Sequence, residues 1–433
     1  MVLSTMSETV LLVGGGGREH AIARALADDC TLYACASNRN PGIASLAAGV
    51  ETVDERDAEA VVAHAEDVGA DLAVIGPESA LSAGVADALD AAGVYTFGPR
   101  AEAARIETDK AFQRRFLDEH NVPGNPDYET FDSADAAADY VAAYDGDVAV
   151  KPVGLTGGKG VRVTGDQLTT EAAVDYVREA GYDEWVVEER LVGEEFTVQA
   201  FVADGEVRTT PAVQDHKRAY EGDEGPNTGG MGSYSDTEST LPFMTDEDYD
   251  DAVAVVEAVV DALPGYKGVL YGQFMLGADG PKVVEFNARF GDPEAMNTLS
   301  VLETPFIDVL TAARDGEPLP QLDFSGEATV CKYAVPAGYP VEPDAGARIE
   351  VDASSVGDAL LFHASVDQRE DGLFTTTSRS FAVVGLGDSV AAAEADAEEA
   401  LSVVDEGFHV RHDIGTAELV QSRVDHMREL RSE

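Results

Sequence analysis

The chain has 433 residues, 44% of them hydrophobic, and its 82 acidic and 29 basic residues give a formal net charge of −53. This length and this apolar fraction predict a globular protein of two to four domains, and the acidic excess argues against nucleic acid as a partner. Because the acids are dispersed and lysine is rare, the composition favours a protein kept soluble in the concentrated salt of a halophile's cytoplasm; an acidic mesophilic enzyme is the alternative.

Cysteine usage and hydropathy bear on the compartment. Three scattered cysteines predict neither a disulfide framework nor a zinc site, and a reducing interior fits them best. No apolar run reaches the ~18 residues of a membrane span, and the first residues lack the basic start and the apolar centre of a signal peptide. We therefore expect a cytoplasmic protein with no membrane partner, whose translation starts at Met1 or Met6.

Short apolar runs alternate with helical segments up to about residue 98, which predicts an open parallel sheet with ligands at the carboxyl ends of its strands. The run GGGG, Gly14–Gly17, follows the first strand. It does not fit a dinucleotide fingerprint, because the sixth position from Gly14 is Glu19 and no acid ends the second strand. It predicts instead a turn and a helix N-terminus that hold one phosphate through backbone amides, with Arg18 alongside.

A helix over Asp109–His120 leads into a second unit centred on a glycine loop, Gly154–Gly160, between two strands. The loop fails the spacing of a P-loop. It predicts either a plain hairpin turn or an amide-rich flap that folds over phosphates, with Lys159 in it and Lys151 on the preceding strand. The later segment VVEERLVGEE, which contains Glu188, is either a solvated charge run or a connection whose backbone contacts adenine.

A β-hairpin is predicted over residues 268–290. With its turn centred on Asp279, Gln273 lies opposite Glu285, and Asn287 shares the face of Glu285. Three such oxygen-bearing side chains suit a hard divalent cation completed by phosphates and water. The alternative is an ordinary strand whose polar residues face solvent.

Directly after the hairpin comes ARFGDPEA, in which Arg289 continues the alternation and offers a fork suited to phosphate or carboxylate. Gly291 and Pro293 turn the chain and leave Asp292 and Glu294 near the same mouth. Residues 325–433 alternate short strands with one helix from Ser389 to about Val404, which predicts a small α+β domain.

In a series of motifs, the chain resembles the phosphoribosylamine-glycine ligase family, the glycinamide ribonucleotide synthetases, which are ATP-grasp enzymes of purine biosynthesis. In chain order these motifs are GGGGREHA, IGPE, DKAF, VKPVGLTGGKGV, EERLVGEE, DHKRAYEGDEGPNTGGMGSY, VVEFNARFGDPE and FHA. The resemblance spans essentially the whole chain, and NTGGMG and RFGDPE separate this family from other ATP-grasp ligases. One departure is Met296, where the family usually carries Gln.

The resemblance implies a multidomain α/β and α+β fold. An N-terminal open parallel α/β sheet that binds substrate would span residues 1–107. An ATP-grasp domain of two subdomains would span residues 108–318, with a flap subdomain at about 122–191, and a small α+β domain would span residues 325–433.

The reaction implied is the ATP-dependent joining of glycine to 5-phosphoribosylamine through glycyl phosphate, with Mg²⁺ or Mn²⁺. The implied metal ligands are Gln273, Glu285 and Asn287, and the implied catalytic residues are Arg289, Asp292 and Asp215. The implied ATP contacts are Lys110, Lys151, Gly157, Gly158, Lys159, Gly160, Glu188, Leu191 and Glu195. The implied contacts of glycine and the sugar phosphate, besides Asp215, are Gly15, Gly16, Gly17, Arg18, Glu78, Asn227, Thr228, Gly229, Gly230, Met231 and Gly232.

Three other functions remain as alternatives. Another ATP-grasp ligase or a carboxylase would share the strand that carries Glu285 and Asn287, here called the metal strand, but would lack NTGGMG. An oxidoreductase would depend on the glycine run alone, and a non-catalytic nucleotide-binding module should have lost Lys151, Glu285 or Asn287, all of which are present. We expect a monomer or a weak homodimer.

Overall fold

A computed structural model describes residues 8–154, 160–351, 354–402, 404 and 407–432. The predicted flap residues Gly157, Gly158 and Lys159 lie outside these ranges, whereas Gly160 lies within them. Within the described ranges, no helix combines the length and the apolar character needed to span a bilayer.

The N-terminal part is an open sheet with helices around it. Its strands are β1 (Thr9–Val13), β2 (Thr31–Ala36), β3 (Gly49–Thr52), β4 (Leu72–Ile75) and β5 (Tyr95–Phe97), and its helices are α1 (Gly17–Leu26), α2 (Pro41–Leu46), α3 (Ala58–Val68), α4 (Glu78–Ser82), α5 (Val85–Ala91) and α6 (Ala101–Thr108). The order is β3-β2-β1-β4-β5, and every pairing is parallel, which confirms the predicted fold class.

The strand order reverses between β1 and β4, so the turns after these two strands flank the crevice where such sheets bind ligands. The GGGG run and Glu78 occupy those turns. The helix predicted over residues 82–91 is α5, which begins only at Val85, because Gly84 adopts a left-handed conformation with φ of 80° and separates it from α4.

The central part begins with α7 (Lys110–Glu119), capped by Asp109, and continues into a subdomain around Trp185. That subdomain contains β6 (Tyr128–Phe131), α8 (Ala134–Ala143), β7 (Val148–Pro152), β8 (Arg162–Val163), α9 (Thr170–Glu179) and β9 (Trp185–Glu189), with sheet order β6-β9-β7-β8. The rest of the centre contains β10 (Glu194–Ala203), β11 (Glu206–Thr209), β12 (Gln214–Asp215), β13 (Arg218–Tyr220), a 3-10 turn (Glu221–Asp223), β14 (Glu224–Asn227), β15 (Gly232–Ser235), α10 (Asp246–Ala262), β16 (Gly268–Gly277), β17 (Gly280–Asn287), α11 (Glu294–Val301) and α12 (Phe306–Asp315).

The hairpin β16–β17 confirms the pairing of Gln273 with Glu285 but corrects its turn. The outer pairs, such as Leu276 with Pro281, lie one residue away from the predicted register, because the turn has two residues instead of being centred on Asp279. A β-bulge at Val284 restores the predicted register toward the site. In an unbroken strand Val283 and Glu285 would lie on the same face. The bulge puts them on opposite faces, so that Val283 pairs with the core residue Phe274 while Glu285 pairs with Gln273.

The C-terminal part is α+β, as predicted, but it includes strands from the centre. Its own elements are β18 (Ala328–Pro336), β19 (Arg348–Ile349), β20 (Leu360–His363), β21 (Val366–Arg369), β22 (Gly372–Thr375), β23 (Phe381–Gly387), α13 (Val390–Leu401), β24 (Phe408–His409) and α14 (Ala417–Leu430). The main sheet order is β12-β15-β18-β23-β20, so the segment predicted as one long loop supplies two strands to this sheet. The helix α14, capped by Thr416, was not predicted.

Candidate active site

A cavity of about 450 Å³ lies where the N-terminal sheet, the hairpin β16–β17 and the C-terminal part meet. The predicted site residues in its wall are Gly15, Gly16, Arg18, Glu78, Lys110, Asp215, Thr228, Gly229, Glu285, Asn287, Arg289 and Asp292. The other described ones lie outside this wall; they are Gly17, Lys151, Gly160, Glu188, Leu191, Glu195, Asn227, Gly230, Met231, Gly232 and Gln273.

The glycine turn after β1 already has carboxylates on its amides. The Gly16 amide donates to Glu19 Oε2 at 2.7 Å, and Arg18 Nε donates to Glu19 Oε1 at 2.7 Å. The amide of Arg18 donates to the carboxylate of Asp292. A phosphate at this helix N-terminus therefore has to use amides other than those of Gly16 and Arg18 or displace one of these carboxylates, a restriction that sequence patterning did not reveal.

Asn40, which the sequence did not single out, fixes the path of that turn. Its Nδ2 donates to the carbonyl oxygen of Gly15 at 3.1 Å and to that of His363 at 2.7 Å, while its Oδ1 accepts from the amide of Gly42 at 2.9 Å. This side chain joins the N-terminal turn to the end of β20. Asn40 thus links the backbone carbonyl of His363, in the FHA motif, to that of Gly15 in the glycine turn.

Arg379 holds two cavity loops together from the C-terminal part. Its NH1 donates to the carbonyl oxygens of Gly229, Gly230 and Asp292 at 2.8, 3.0 and 3.0 Å, and its NH2 lies 3.2 Å from Asp292 Oδ1. Its guanidinium also stacks on the ring of Tyr333, whose hydroxyl donates to Asp292 Oδ1 at 2.6 Å. Burial favours a raised pKa for Asp292, but Arg379 and Arg18 hold that pKa below its usual range.

Glu285 is an ionised carboxylate surrounded by lysines. Burial alone would raise its pKa, but Lys217, Lys110 and Lys151 lower the pKa of Glu285 to about 2. Asn287 Nδ2 donates to Glu285 Oε1 at 3.3 Å, so the two predicted ligands are adjacent on the cavity wall.

Gln273, the third predicted ligand, is held by two neighbours. Its Oε1 accepts from Lys217 Nζ at 2.5 Å, and its Nε2 donates to Glu195 Oε2 at 2.7 Å. Glu195, which was predicted to bind ribose, therefore orients this amide. Lys217 was missed as a site residue, although the scarcity of lysine in so acidic a chain was a signal that could have found it.

Arg289 is positioned by two acids of the N-terminal part. Its NH2 lies 2.8 Å from Glu107 Oε1, and its Nε lies 3.8 Å from Glu78 Oε2. The second oxygen of Glu107 accepts from the amide of Ala288 at 2.8 Å, which fixes the backbone between Asn287 and Arg289. Glu107 was not predicted, because nothing in the sequence of α6 separates this buried acid from an exposed one.

Lys110 lines the cavity, whereas Lys151, on β7, lies outside its wall. Lys110 begins α7 and donates to the carbonyl oxygen of Gly154. Lys151 Nζ lies 2.7 Å from Glu188 Oε2 and donates to the carbonyl oxygen of Val284 at 3.2 Å. The bulged residue of β17 therefore accepts a hydrogen bond from a predicted phosphate ligand.

Glu188 lies in a buried ion pair. Arg114 Nε and NH2 donate to Glu188 Oε1 and Oε2 at 2.7 and 2.8 Å, and NH2 also donates to the carbonyl oxygen of Val284 at 2.7 Å. Burial favours a raised pKa for Glu188, but Arg114 and Lys151 keep that pKa below its usual range. Its carboxylate is therefore already committed to two cations, while Leu191 lies half-buried in the connection that follows β9.

The predicted substrate loop is anchored at both ends. The Thr228 amide and hydroxyl both donate to the carbonyl oxygen of Lys217 at 2.8 Å, and Thr228 Oγ1 accepts from the amide of Gly230 at 3.1 Å. The Met231 amide donates to the carbonyl oxygen of His216, and the Met231 carbonyl oxygen accepts from the amide of Tyr333. The loop therefore presents Thr228 and Gly229 to the cavity, while its later residues join the C-terminal sheet.

Three other predicted residues lie close to this loop and to the flap. Asn227 pairs with Arg218 in the β13–β14 ladder, and Gly232 pairs with Lys332 in the C-terminal sheet. The carbonyl oxygen of Gly160 accepts from the Tyr176 hydroxyl at 2.8 Å.

A second clamp holds the β13–β14 turn from the end of the chain. Arg411 NH1 lies 2.7 Å from Asp223 Oδ1, and Arg423 pairs with the other oxygen of the same carboxylate. Asp223 needs such support because its φ is 56°, a conformation that a non-glycine residue rarely adopts. Arg411 is fully buried, so this clamp belongs to the interior of the protein.

The donor set fits a divalent cation bridged to nucleotide phosphates. Among the described residues there is no cluster of three or more His, Cys, Asp or Glu side chains that could hold a metal by itself. The cavity offers instead the carboxylate of Glu285 beside the amide of Asn287. Mg²⁺ in phosphate sites takes one or two carboxylates and completes its shell with phosphates and water, so this set is sufficient.

Comparisons with known proteins agree with this architecture. The chain matches the phosphoribosylglycinamide synthetase N domain over residues 8–107, its ATP-grasp (A) domain over residues 108–295 and its C domain over residues 329–417. The phosphoribosylamine–glycine ligase of Methanosarcina barkeri is 50% identical over 434 residues, covering 98% of this chain and 99% of that protein.

Solved structures show the same fold. The phosphoribosylamine–glycine ligase of Thermotoga maritima superposes with a TM-score of 0.78 at 24% identity, covering 94% of this chain and 99% of that one. The biotin carboxylase domain of 2-oxoglutarate carboxylase from Hydrogenobacter thermophilus, solved with MgADP, gives a TM-score of 0.71 at 16% identity, covering 98% of this chain and 94% of that one. On the matches of its three domains and the full-length identity, the chain belongs to the phosphoribosylglycinamide synthetase family.

Proposed function

We propose that this chain joins glycine to 5-phosphoribosylamine at the expense of ATP, giving glycinamide ribonucleotide, ADP and phosphate in purine biosynthesis. The observation that carries the proposal is full-length identity of 50% to a phosphoribosylamine–glycine ligase, with all three family domains matched in order. The cavity lined by the glycine turn, the metal strand and the NTGG loop supports it.

The reaction has two steps, phosphorylation of glycine and transfer of its acyl group to the amine. A carboxylate oxygen of glycine attacks the γ-phosphorus of ATP, the bond to the β-phosphate oxygen breaks, and ADP leaves. The amine nitrogen of the sugar then attacks the acyl carbon of glycyl phosphate, the carbon–oxygen bond to phosphate breaks, and the amine loses a proton. Because the acyl phosphate is already activated, no side-chain nucleophile is needed.

The residues of the site would bind different parts of the substrates. Arg289, oriented by Glu107 and Glu78, faces the cavity and would stabilise the transferred phosphoryl group. Lys110 and Lys151, with the flap residues Gly157 to Gly160, would bind the phosphates of ATP. Thr228 and Gly229, held by Lys217 and Arg379, would contact the sugar phosphate together with Arg18.

ATP is used here with a divalent cation, and Mg²⁺ or Mn²⁺ would be held by Glu285 and Asn287. Bound to the phosphates, the cation neutralises charge that develops during transfer. Gln273 lies opposite Glu285 in the β16–β17 ladder and would hold Lys217, whose charge lowers the pKa of Glu285. We further propose a cytoplasmic enzyme that is a monomer or a weak homodimer.

The test couples ADP release to glycine and 5-phosphoribosylamine. ADP should form only when ATP, a divalent cation, glycine and the amine are all present, and glycinamide ribonucleotide should accumulate in equal amount. ADP release at the same rate without glycine, or with bicarbonate in its place, would show that the enzyme is another ATP-grasp ligase or a carboxylase.

A further inference from the structure

The free edge of the main C-terminal sheet is covered by side chains of the N-terminal part. The strand β20 is the last in that sheet, and His363 is its final residue. The amide of His363 donates to Nδ1 of His20 at 2.9 Å, and its carbonyl oxygen accepts from Nδ2 of Asn40 at 2.7 Å. Because an edge strand leaves such backbone groups unpaired, these two side chains take the place of a further strand.

The imidazole of His20 is held as an acceptor. Its relative exposure is 7%, and burial, His363 and Arg24 lower the pKa of His20 to about 3, so the ring is uncharged near neutral pH. A neutral imidazole has one nitrogen that accepts, which is Nδ1 here. The ring lies parallel to that of His363, with centroids 6.0 Å apart, and edge-on to Phe362 at 5.4 Å. A Cβ at Gly42 would overlap this ring, so α2 packs directly against it.

The partners in this contact continue directly into the cavity wall. Ser365, two residues after His363, lines the cavity, and so does Gly15, whose carbonyl oxygen accepts from Asn40 Nδ2 at 3.1 Å. Asn40 therefore bonds to the glycine turn and to β20 through the same amide nitrogen. The spacing between the glycine turn and Ser365 consequently depends on His20 and Asn40, although neither lines the cavity itself.

We propose that His20 and Asn40 are positioning residues for the sugar substrate, because they hold Ser365 beside the glycine turn so that both segments contact 5-phosphoribosylamine. This inference deepens the proposed function and rests on it, since that function places the sugar phosphate against Arg18, on the same helix as His20. The groups assigned to ATP and the cation lie on other elements, α7, β7 and β17. Loss of the contact should therefore affect the sugar substrate more than ATP.

The test measures steady-state kinetics of the full chain while each of the three substrates is varied in turn. His20→Gln carries its amide near the place of Nε2 and leaves the His363 amide without an acceptor, so the KM for 5-phosphoribosylamine should rise at least about tenfold. The KM values for ATP and glycine should change by less than about twofold, because separate sites contribute independently. His20→Asn can place an amide oxygen where Nδ1 stands and should restore most of the wild-type KM.

Asn40→Asp tests the other half of the contact. It retains the oxygen that caps α2 but replaces the donor with a second oxygen, so the same KM should rise while the other two do not. His120→Gln, which alters an exposed histidine after α7, is the control and should match the wild type in all three KM values.

Several results would overturn the proposal while the wild type still forms glycinamide ribonucleotide. Equal increases in all three KM values, or a lower kcat with unchanged KM values, would show that the contact only supports the fold. Wild-type kinetics in both His20→Gln and Asn40→Asp would show that Ser365 is held without it. A KM for His20→Asn as high as that for His20→Gln would assign the effect to packing of the ring.

If either His20→Gln or Asn40→Asp does not fold, the other variant decides. A wild type that forms no glycinamide ribonucleotide would refute the proposed function, and this inference with it.

Discussion

Three lysines keep Glu285 ionised in spite of its burial. With a pKa of about 2, it carries its charge at any pH at which the enzyme would be assayed, so a cation always meets a full negative charge there. Its loss would remove the one carboxylate beside Asn287 and leave Lys217, Lys110 and Lys151 to repel one another.

We expect Glu285→Gln to lower kcat by roughly a hundredfold or more, since metal-assisted charge stabilisation contributes several kcal/mol. The apparent affinity for the divalent cation should fall as well. Steady-state rates over a titration of Mg²⁺ measure both effects. Asp279→Asn, at the exposed tip of the same hairpin, is the matched control, and a rate near that of the wild type at saturating Mg²⁺ for Glu285→Gln would refute the metal assignment.

The carboxyl pair of Asp215 and Glu294 predicts a pH dependence for glycine. Burial raises the pKa of each group, and the charge of Glu294 raises that of Asp215 further, so a bound ammonium group, which favours both ionised forms, should lower these pKa values. Glycine binding should therefore release a proton, and its affinity should rise with pH up to the point where the pair is fully ionised and fall as the pH is lowered.

Calorimetry of glycine binding in buffers of different ionisation enthalpy measures this release. Asp215→Asn should abolish most of the dependence while leaving ATP binding in place. A glycine affinity independent of pH in the wild type, between mildly acidic and neutral conditions, is the result that would contradict this prediction.

Among the residues of the site, the sequence pattern predicted those that alternate along one strand. It missed those that come into the site only through tertiary packing. Glu285, Asn287 and Arg289 follow a period of two, so their common face could be predicted. Glu107 and Arg379 line the same cavity from α6 and from the turn before β23, and no local sequence pattern predicts that these two residues lie there.

At Val284 a β-bulge reverses which side chains of β17 face the core and which face the cavity. Val283 and Phe286 both pack in the main hydrophobic core, whereas Glu285 and Asn287 face the cavity. Positions three apart lie on opposite faces of an unbroken strand, so the apolar spacing in VVEFN was itself a sign of a bulge. The sequence analysis reached the correct inner register through a turn misplaced by half a residue.

We expect deletion of Val284 to keep Glu285 opposite Gln273 but to remove the carbonyl acceptor of Arg114 and Lys151. Hydrogen bonds to charged groups are worth enough that ATP should bind roughly tenfold more weakly. Equilibrium binding of ATP measures the change. Val284→Ala, which retains the backbone, should bind as the wild type does; a deletion variant with unchanged ATP affinity would show that the bulge carbonyl is dispensable.

Secondary structure was predicted best where the hydrophobic pattern is long, as in β10 and β16, which pair along most of their length. It failed where segments are short. The two-residue strand β12 and the four-residue strand β15 lie in a polar, glycine-rich stretch and exist because β18 offers an edge to them. Pairing with a distant partner outweighed local propensity there.

The whole molecule carries a charge of −53, which opposes compaction in dilute buffer. The halophile interpretation remains a prediction. We expect both the midpoint of thermal unfolding and the specific activity to rise from dilute buffer to molar KCl, because a Debye length of ~3 Å screens the repulsion between surface acids. Calorimetry and the ADP assay over a KCl series test this, and best performance in dilute buffer would contradict it.

The clamp of Asp223 by Arg411 and Arg423, and the pairing of β15 with β18, have a consequence for synthesis. A chain emerging from a ribosome presents the glycine turn and the metal strand long before these partners, and domains generally fold from the N-terminus as they appear. Until β18 emerges, β15 can pair with β12 on one side only, and its other edge is open to wrong partners. Nascent chains stalled before Arg411 should therefore bind nucleotide without yet recognising the sugar substrate.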